Sequence, residues 1–247
     1  MGRITEAVKH ILIVNVLFFI ATQLLGDQMY QWFSLWFPQN QNFQLWQVVT
    51  HMFMHGGFMH ILFNMYALWA FGTPMEQMWG RNKFLFFYFS AGLGAALIHT
   101  LVNYYHFNSG MQALLEAGMQ QSDILSVLAQ GKYNTAWETL IPADTLQNFL
   151  GAYMQPAVGA SGAIYGVLVA FGMMFPNAEL MLLFFPIPIK AKYFIPGIIL
   201  VDLFSGLSGT SIFGGGIAHF AHLGGALFGF IMVWYWKRNQ FKNNRWD

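Results

Sequence analysis

The sequence predicts an all-α polytopic membrane protein, and three observations carry that prediction. The chain is poor in charge, it repeats apolar stretches of bilayer length, and it sorts its basic residues onto one side. Of its 247 residues, 9% are charged, 56% hydrophobic and 18% aromatic. A soluble domain carries about 25% charged residues, because water must solvate its surface. This chain has too few for that, so its outer surface must face hydrocarbon.

Six apolar stretches stand out, at about 10–26, 57–78, 83–105, 156–175, 191–207 and 216–236. Crossing a bilayer takes about 20 residues of helix. The first stretch follows Arg3 and Lys9 and has no Ala-x-Ala-like cleavage site behind it, so it reads as a retained helix. The fifth is the shortest and contains Pro196 and Asp202; proline is tolerated in a span when neighbours satisfy the freed carbonyl. The six spans read as one membrane domain over residues 1–247.

Orientation follows from Lys and Arg. With the N-terminus inside, the inner segments hold Arg3, Lys9, Arg81, Lys83, Lys190, Lys192, Lys237, Arg238, Lys242 and Arg245, and the outer ones hold only Lys132. A wrong number of spans would scramble this sorting. It predicts a plasma or inner cell membrane with both termini cytoplasmic and the site described below opening to the extracytoplasmic side.

Two outer segments are long. Residues 27–56 carry Trp32, Phe33, Trp36, Phe37, Phe43 and Trp46, and aromatic residues favour the bilayer interface. Residues 106–155 form an extracytoplasmic insertion between spans 3 and 4, with Glu116, Asp123, Glu138 and Asp144. Its stretch Met111–Leu128 reads as one or two short amphipathic helices.

Composition also excludes some chemistry. A net charge of +1 gives no basic surface for nucleic acid. Without cysteine there is no disulfide, thiolate or cysteine–zinc site. His51 and His55 have helical spacing, but no acidic residue among them completes a metal-ligand set. No metal or cofactor is expected.

Polar residues within spans are costly and point to function. Gly159-Ala160-Ser161-Gly162, continuing to Tyr165 and Gly166, opens the fourth span. Small residues there serve helix packing; they would equally let a substrate backbone reach the Ser161 hydroxyl. In the sixth span, His222, Gly225 and Gly229 share one helical face. Gly162 and Gly166 on one helix, with Gly225 and Gly229 on the other, would let the two pack closely and bring His222 beside Ser161. Counted from helix starts near Pro156 and Ile217, both side chains lie about five residues deep, or ~7–8 Å. His60 and Asn64 share a face of the second span at a similar depth; they are candidate donors to an oxyanion, or partners in interhelical hydrogen bonds.

These groups match the Ser–His logic of acyl transfer, which is defined by role and geometry. Ser161 would attack a carbonyl, and His222 would accept its proton. Tyr165 lies one turn below Ser161, where its ring can pack on His222. No acidic residue is evidently placed as a third member, so a dyad is expected. Asp202 has no visible partner for aspartyl chemistry, and no Lys lies near Ser161 for a Ser–Lys pair.

The residues resemble the rhomboid family over roughly 10–105 and 156–236. The resemblance rests on Gly159-x-Ser161-Gly162, on Ala221-His222-x-x-Gly225-x-x-x-Gly229, and on His60-x-x-x-Asn64 with His55 ahead of it. It implies a six-transmembrane-helix bundle of the bacterial type and a serine endopeptidase that cuts other membrane proteins in or beside their transmembrane segments. It also implies Ser161 as nucleophile and His222, rather than His219, as base. His60, Asn64 and the Ser161 N–H correspond to the family's oxyanion site, Tyr165 to the aromatic stacked on the catalytic His, and no cofactor is needed. Two departures stand out. The first outer loop reads Trp46-Gln47 where the family often has Trp-Arg, so an anchoring bond is expected to be missing. The 106–155 insertion is longer than in the simplest bacterial members.

Two other readings keep the same helices. One is a catalytically silent rhomboid-like protein that binds membrane clients; the other is a channel or transporter with a polar core. The glycines of 205–216 (Gly206, Gly209, Gly214, Gly215 and Gly216) suggest a flexible cap over the site.

Overall fold

The computed structural model describes residues 3–182, 185–209 and 218–243. The chain begins with α1 (Glu6–Leu25) and α2 (Asp27–Phe33), then α3 (Gln47–Thr50) and a 3₁₀ turn at His51–Phe53. Next come α4 (Phe58–Ala67), a π-helical turn at Leu68–Gly72, α5 (Thr73–Trp79) and α6 (Arg81–Glu116). The insertion adds α7 (Gln121–Ala129), α8 (Trp137–Leu140) and α9 (Ala143–Met154). The chain closes with α10 (Ser161–Met174), strands β1 (Glu179–Leu182) and β2 (Phe185–Lys190), α11 (Ala191–Ser208) and α12 (His219–Asn243). The strands form an antiparallel hairpin that pairs Glu179 with Lys190.

This is a helical polytopic membrane bundle. Among the described helices, α1, α6 and α11 are long and apolar enough to cross a bilayer. Large apolar side chains such as Leu17, Leu24, Phe86, Leu101, Leu200 and Phe204 are exposed on the outside, as a lipid-facing surface requires. One core lies between the helices, built from Val8, Met52, Leu68, Phe84, Phe87 and Val167 among others.

Several boundaries differ from those the sequence suggested. Span 4, expected over 156–175, is helical only from Ser161 to Met174. At 1.5 Å per residue that is about 21 Å, shorter than the ~30 Å hydrocarbon core. Ser161 therefore opens its helix instead of lying five residues inside it, and His222 lies three residues into α12. The depth count from Pro156 and Ile217 started from the wrong ends. Of the one or two short helices expected over Met111–Leu128, one forms: α7 begins at Gln121, while Met111–Glu116 continues the 36-residue α6. Gly214, Gly215 and Gly216 of the expected cap lie outside the described residues.

The insertion builds a second core. Trp137 and Phe149 are fully buried, with Phe107, Leu114, Ile124 and Leu128 around them. Phe37 of the first loop joins this cluster, and Asn40 donates to the Tyr153 carbonyl at 2.8 Å. The first loop and the insertion thus support each other above the bundle.

Gln47 corrects the expectation of a missing anchor. It is fully buried. Its Nε2 donates to the carbonyls of Gln31 at 2.9 Å and Asn42 at 2.8 Å. Its Oε1 accepts from the N–H of Gln44 at 3.1 Å and, more weakly, of Trp36 at 3.4 Å. A neutral amide that both donates and accepts holds the first loop together where the family often uses a cation.

Candidate active site

The segment before Ser161 is held extended by the first loop. Leu35 and Ala157 exchange two backbone hydrogen bonds of 2.9 Å, and the Gly159 N–H donates to the His51 carbonyl at 2.9 Å. Gly159 has φ +122, a region side chains avoid. A Cβ there would lie 2.9 Å from His60 Nε2, so the missing side chain is what lets His60 approach. Gly159 thus faces α4, not α12. From Ala160 the chain turns into α10, and Ser161 stands in the first turn, where backbone N–H groups lack intrahelical partners.

The remaining glycines bring α10 and α12 together. A Cβ on Gly225 would sit 1.8 Å from the Gly162 carbonyl oxygen, and one on Gly229 would sit 2.6 Å from the Gly166 Cα. At this separation His222 Nε2 lies 2.8 Å from Ser161 Oγ. The Tyr165 ring stacks on the His222 ring, with centroids 4.2 Å apart and planes 11° from parallel.

Asp202 is the site residue that the sequence reading missed. It reaches from α11 and is buried. His222 Nδ1 lies 3.2 and 3.3 Å from its two carboxylate oxygens, and His219 Nδ1 lies 2.5 Å from Oδ1. The Tyr165 hydroxyl donates to Oδ2. The expectation that no acidic residue stands behind His222 as a third member is therefore corrected; the partners of Asp202 are imidazoles and a phenol, not a second carboxylate. An acid in an apolar span was the available signal. What spacing did not give was the rotation of α11 against α12.

His60 and His55 have ring centroids 5.0 Å apart. Asn64 is buried, and its amide donates to the His60 carbonyl of its own helix at 2.9 Å. In the first loop, burial pushes His51 down to about 4, against a weaker opposing bond to the Gln47 carbonyl. Burial, helped by nearby His60, pushes His55 down to about 3. Both are neutral near pH 7. Among the described residues no group of three or more His, Cys, Asp or Glu is arranged to hold a metal ion. A narrow cavity of about 20 Å³ adjoins Ser161, between Gly92, Ala95, His99 and His51; that is space on the scale of one water molecule.

A helical membrane bundle with a serine, an imidazole and a carboxylate in one connected cluster defines the class. The rhomboid domain model matches residues 42–239, and the chain belongs to the rhomboid family. It is 26% identical over 188 residues to the mitochondrial rhomboid protein 1 of Saccharomyces cerevisiae, covering 76% of this chain and 41% of that protein. It is 29% identical over 184 residues to the human mitochondrial presenilin-associated rhomboid-like protein, covering 74% and 35%. It is 38% identical over 76 residues to the rhomboid protease GlpG of Salmonella choleraesuis, covering 30% and 28%. The matched stretch is thus less than half the length of each of these relatives. The relatives matched along three quarters of the chain are named as mitochondrial, which overturns the plasma- or inner-cell-membrane placement. The cytoplasmic and extracytoplasmic sides assigned with it fall too; the segregation of basic residues stands without a named compartment.

Proposed function

We propose that this chain is an intramembrane serine endopeptidase that hydrolyses peptide bonds in or beside transmembrane segments of other membrane proteins. The observation that carries this is the 2.8 Å contact between Ser161 Oγ and His222 Nε2 at the opening of α10. His222 takes the hydroxyl proton as Ser161 attacks the scissile carbonyl. The Ser161 N–H, in the first turn of α10, and His60 Nε2, on the Gly159 side, supply donors for the oxyanion, and Asn64 bonds the His60 backbone carbonyl. His222 then passes the proton to the leaving amine, and water releases the acyl group by the reverse sequence. Tyr165 holds the imidazole plane by stacking.

Around this centre we place six spans, with the 106–155 insertion on the side where Ser161 opens. The relatives matched along three quarters of the chain are named as mitochondrial, which supports a mitochondrial membrane as the host. The test is cleavage of a model transmembrane substrate by purified protein in liposomes, together with labelling by a fluorophosphonate. Cleavage and labelling should both vanish in Ser161→Ala and in His222→Ala. Cleavage that persists in Ser161→Ala removes Ser161 from the role of nucleophile.

A further inference from the structure

We propose that Asp202 is a positioning residue that fixes the tautomer of His222 and stabilises its protonated form. The inference rests on the serine-protease reading above and extends it beyond a two-residue dyad. An ionised carboxylate buried in an apolar span is unfavourable unless several donors compensate it. Asp202 has three: the Tyr165 hydroxyl from α10, and Nδ1 of His219 and of His222 from α12. Its oxygens can only accept, so Nδ1 of His222 carries the proton. Nε2 is then left with a free lone pair, and that lone pair faces Ser161 Oγ at 2.8 Å. Reverse the tautomer, and an N–H would point at the hydroxyl it has to deprotonate.

The supporting contacts have different consequences. Tyr165 both stacks on His222 and bonds Asp202, so one residue sets the plane of the imidazole and the place of the carboxylate. His219 takes the shorter bond to Oδ1, which leaves His222 sharing both oxygens at longer range. When His222 gains a proton, its attraction to the carboxylate rises just as charge develops. That is the part an aspartate plays in a Ser–His–Asp triad without itself taking up a proton. Here the three groups come from three different helices.

The experiment is Asp202→Asn, which keeps the shape and removes the charge. Its kcat on the liposome substrate should fall at least about 10²-fold, toward the ~10⁴-fold seen when the aspartate of such a triad becomes asparagine. KM should stay within about threefold, since Asp202 is buried behind His222 on the side away from Ser161 Oγ. The acidic limb of kcat/KM should move to lower pH in the variant. The other groups facing His222 are His219 on its own helix, Tyr165, and at longer range His60 and His99. His219 and Tyr165 also bond Asp202, so the comparison is repeated on a His219→Gln background, where the movement should persist if it reports His222. A purely structural role would lower the melting temperature and leave the limb in place.

A kcat within threefold of wild type with an unmoved limb overturns the inference. If Asp202→Asn fails to fold, the tautomer of His222 in the wild type decides, read from the imidazole ¹⁵N shifts of labelled protein at alkaline pH: a proton on Nδ1 supports the role, and a proton on Nε2 overturns it. Ser161→Ala run alongside separates the two levels. If it is inactive while Asp202→Asn is fully active, only the Asp202 role fails. If it is active, the protease reading fails first.

Discussion

Gly225 and Gly162 meet backbone to backbone: a Cβ on Gly225 would stand 1.8 Å from the Gly162 carbonyl oxygen. Carbonyls of a helix cannot move aside as a flexible side chain can, so any larger residue must push α12 away from α10. Gly225→Ala is expected to destabilise the protein by about 1–3 kcal/mol, as overpacking does. Activity should fall further than stability, because His222 rides on the displaced helix and a shift of ~1 Å can lower a rate 10²-fold. Gly197→Ala is the control. Nothing lies within 4 Å of a Cβ there, and the change should leave the melting temperature unchanged or slightly raised. Equal effects of the two substitutions would contradict the packing argument.

Gln47 should be intolerant of substitutions that keep only half of its hydrogen bonding. Gln47→Ala takes the partner from part-buried carbonyls and N–H groups of residues 31–44, at a cost of about 1–2 kcal/mol. Gln47→Glu should be worse, because it turns a carboxylate oxygen toward the Gln31 and Asn42 carbonyls that now receive Nε2. Limited proteolysis within residues 27–56 reads this directly: cleavage should accelerate in the order wild type, Ala, Glu.

Glu76 caps a helix that is not its own. Its two carboxylate oxygens accept the Ala7 and Val8 N–H groups at 2.8 and 2.9 Å, and the residue is buried. These are first-turn donors of α1, where a negative charge also meets the positive end of the helix dipole. Glu76→Gln keeps one acceptor and faces the other N–H with an amide donor. A loss of about 1–3 kcal/mol in detergent unfolding is expected. An unchanged unfolding midpoint would mean that the α1 terminus finds other partners.

Acid should loosen the first loop. His51 and His55 are neutral when folded, with pKa values pushed down to about 4 and about 3 by burial. In the unfolded chain they titrate near 6.5. Between pH 6.5 and 4 the unfolded state therefore binds more protons, so stability rises with pH there and is lost on acidification. By pH 5 each should have given up about 2 kcal/mol relative to pH 7. Melting temperature measured from pH 7 to 5 should fall, and the slope should flatten in His51→Gln/His55→Gln. A slope that survives the double substitution would assign the acid sensitivity elsewhere.

The membrane class, the approximate helices and the close approach of spans four and six were legible in the sequence. Each follows from composition or from periodicity along one chain. Apolar runs mark helices because hydrocarbon leaves backbone polar groups no other partner. Glycines at i and i+4 mark a contact face because only they permit it. Helix ends were less legible: the residues from Pro156 to Gly159 are as apolar as a helix, yet they lie outside it because Leu35 and His51 hold Ala157 and Gly159. Gln47 was misread for a related reason, since a pattern with one residue exchanged does not show what a neutral amide can bond once a loop closes around it.

The sequence by itself determined that this chain lives in a bilayer and that Ser161 and His222 belong to facing small-residue surfaces. The tertiary structure decided which acid stands behind His222. Asp202 is 17 residues from His219 and 20 from His222 along the chain, with residues 210–217 outside the described structure between them. Which way its side chain points depends on how α11 is rotated against α10 and α12. That rotation is set by many side-chain contacts at once, and no local pattern records it.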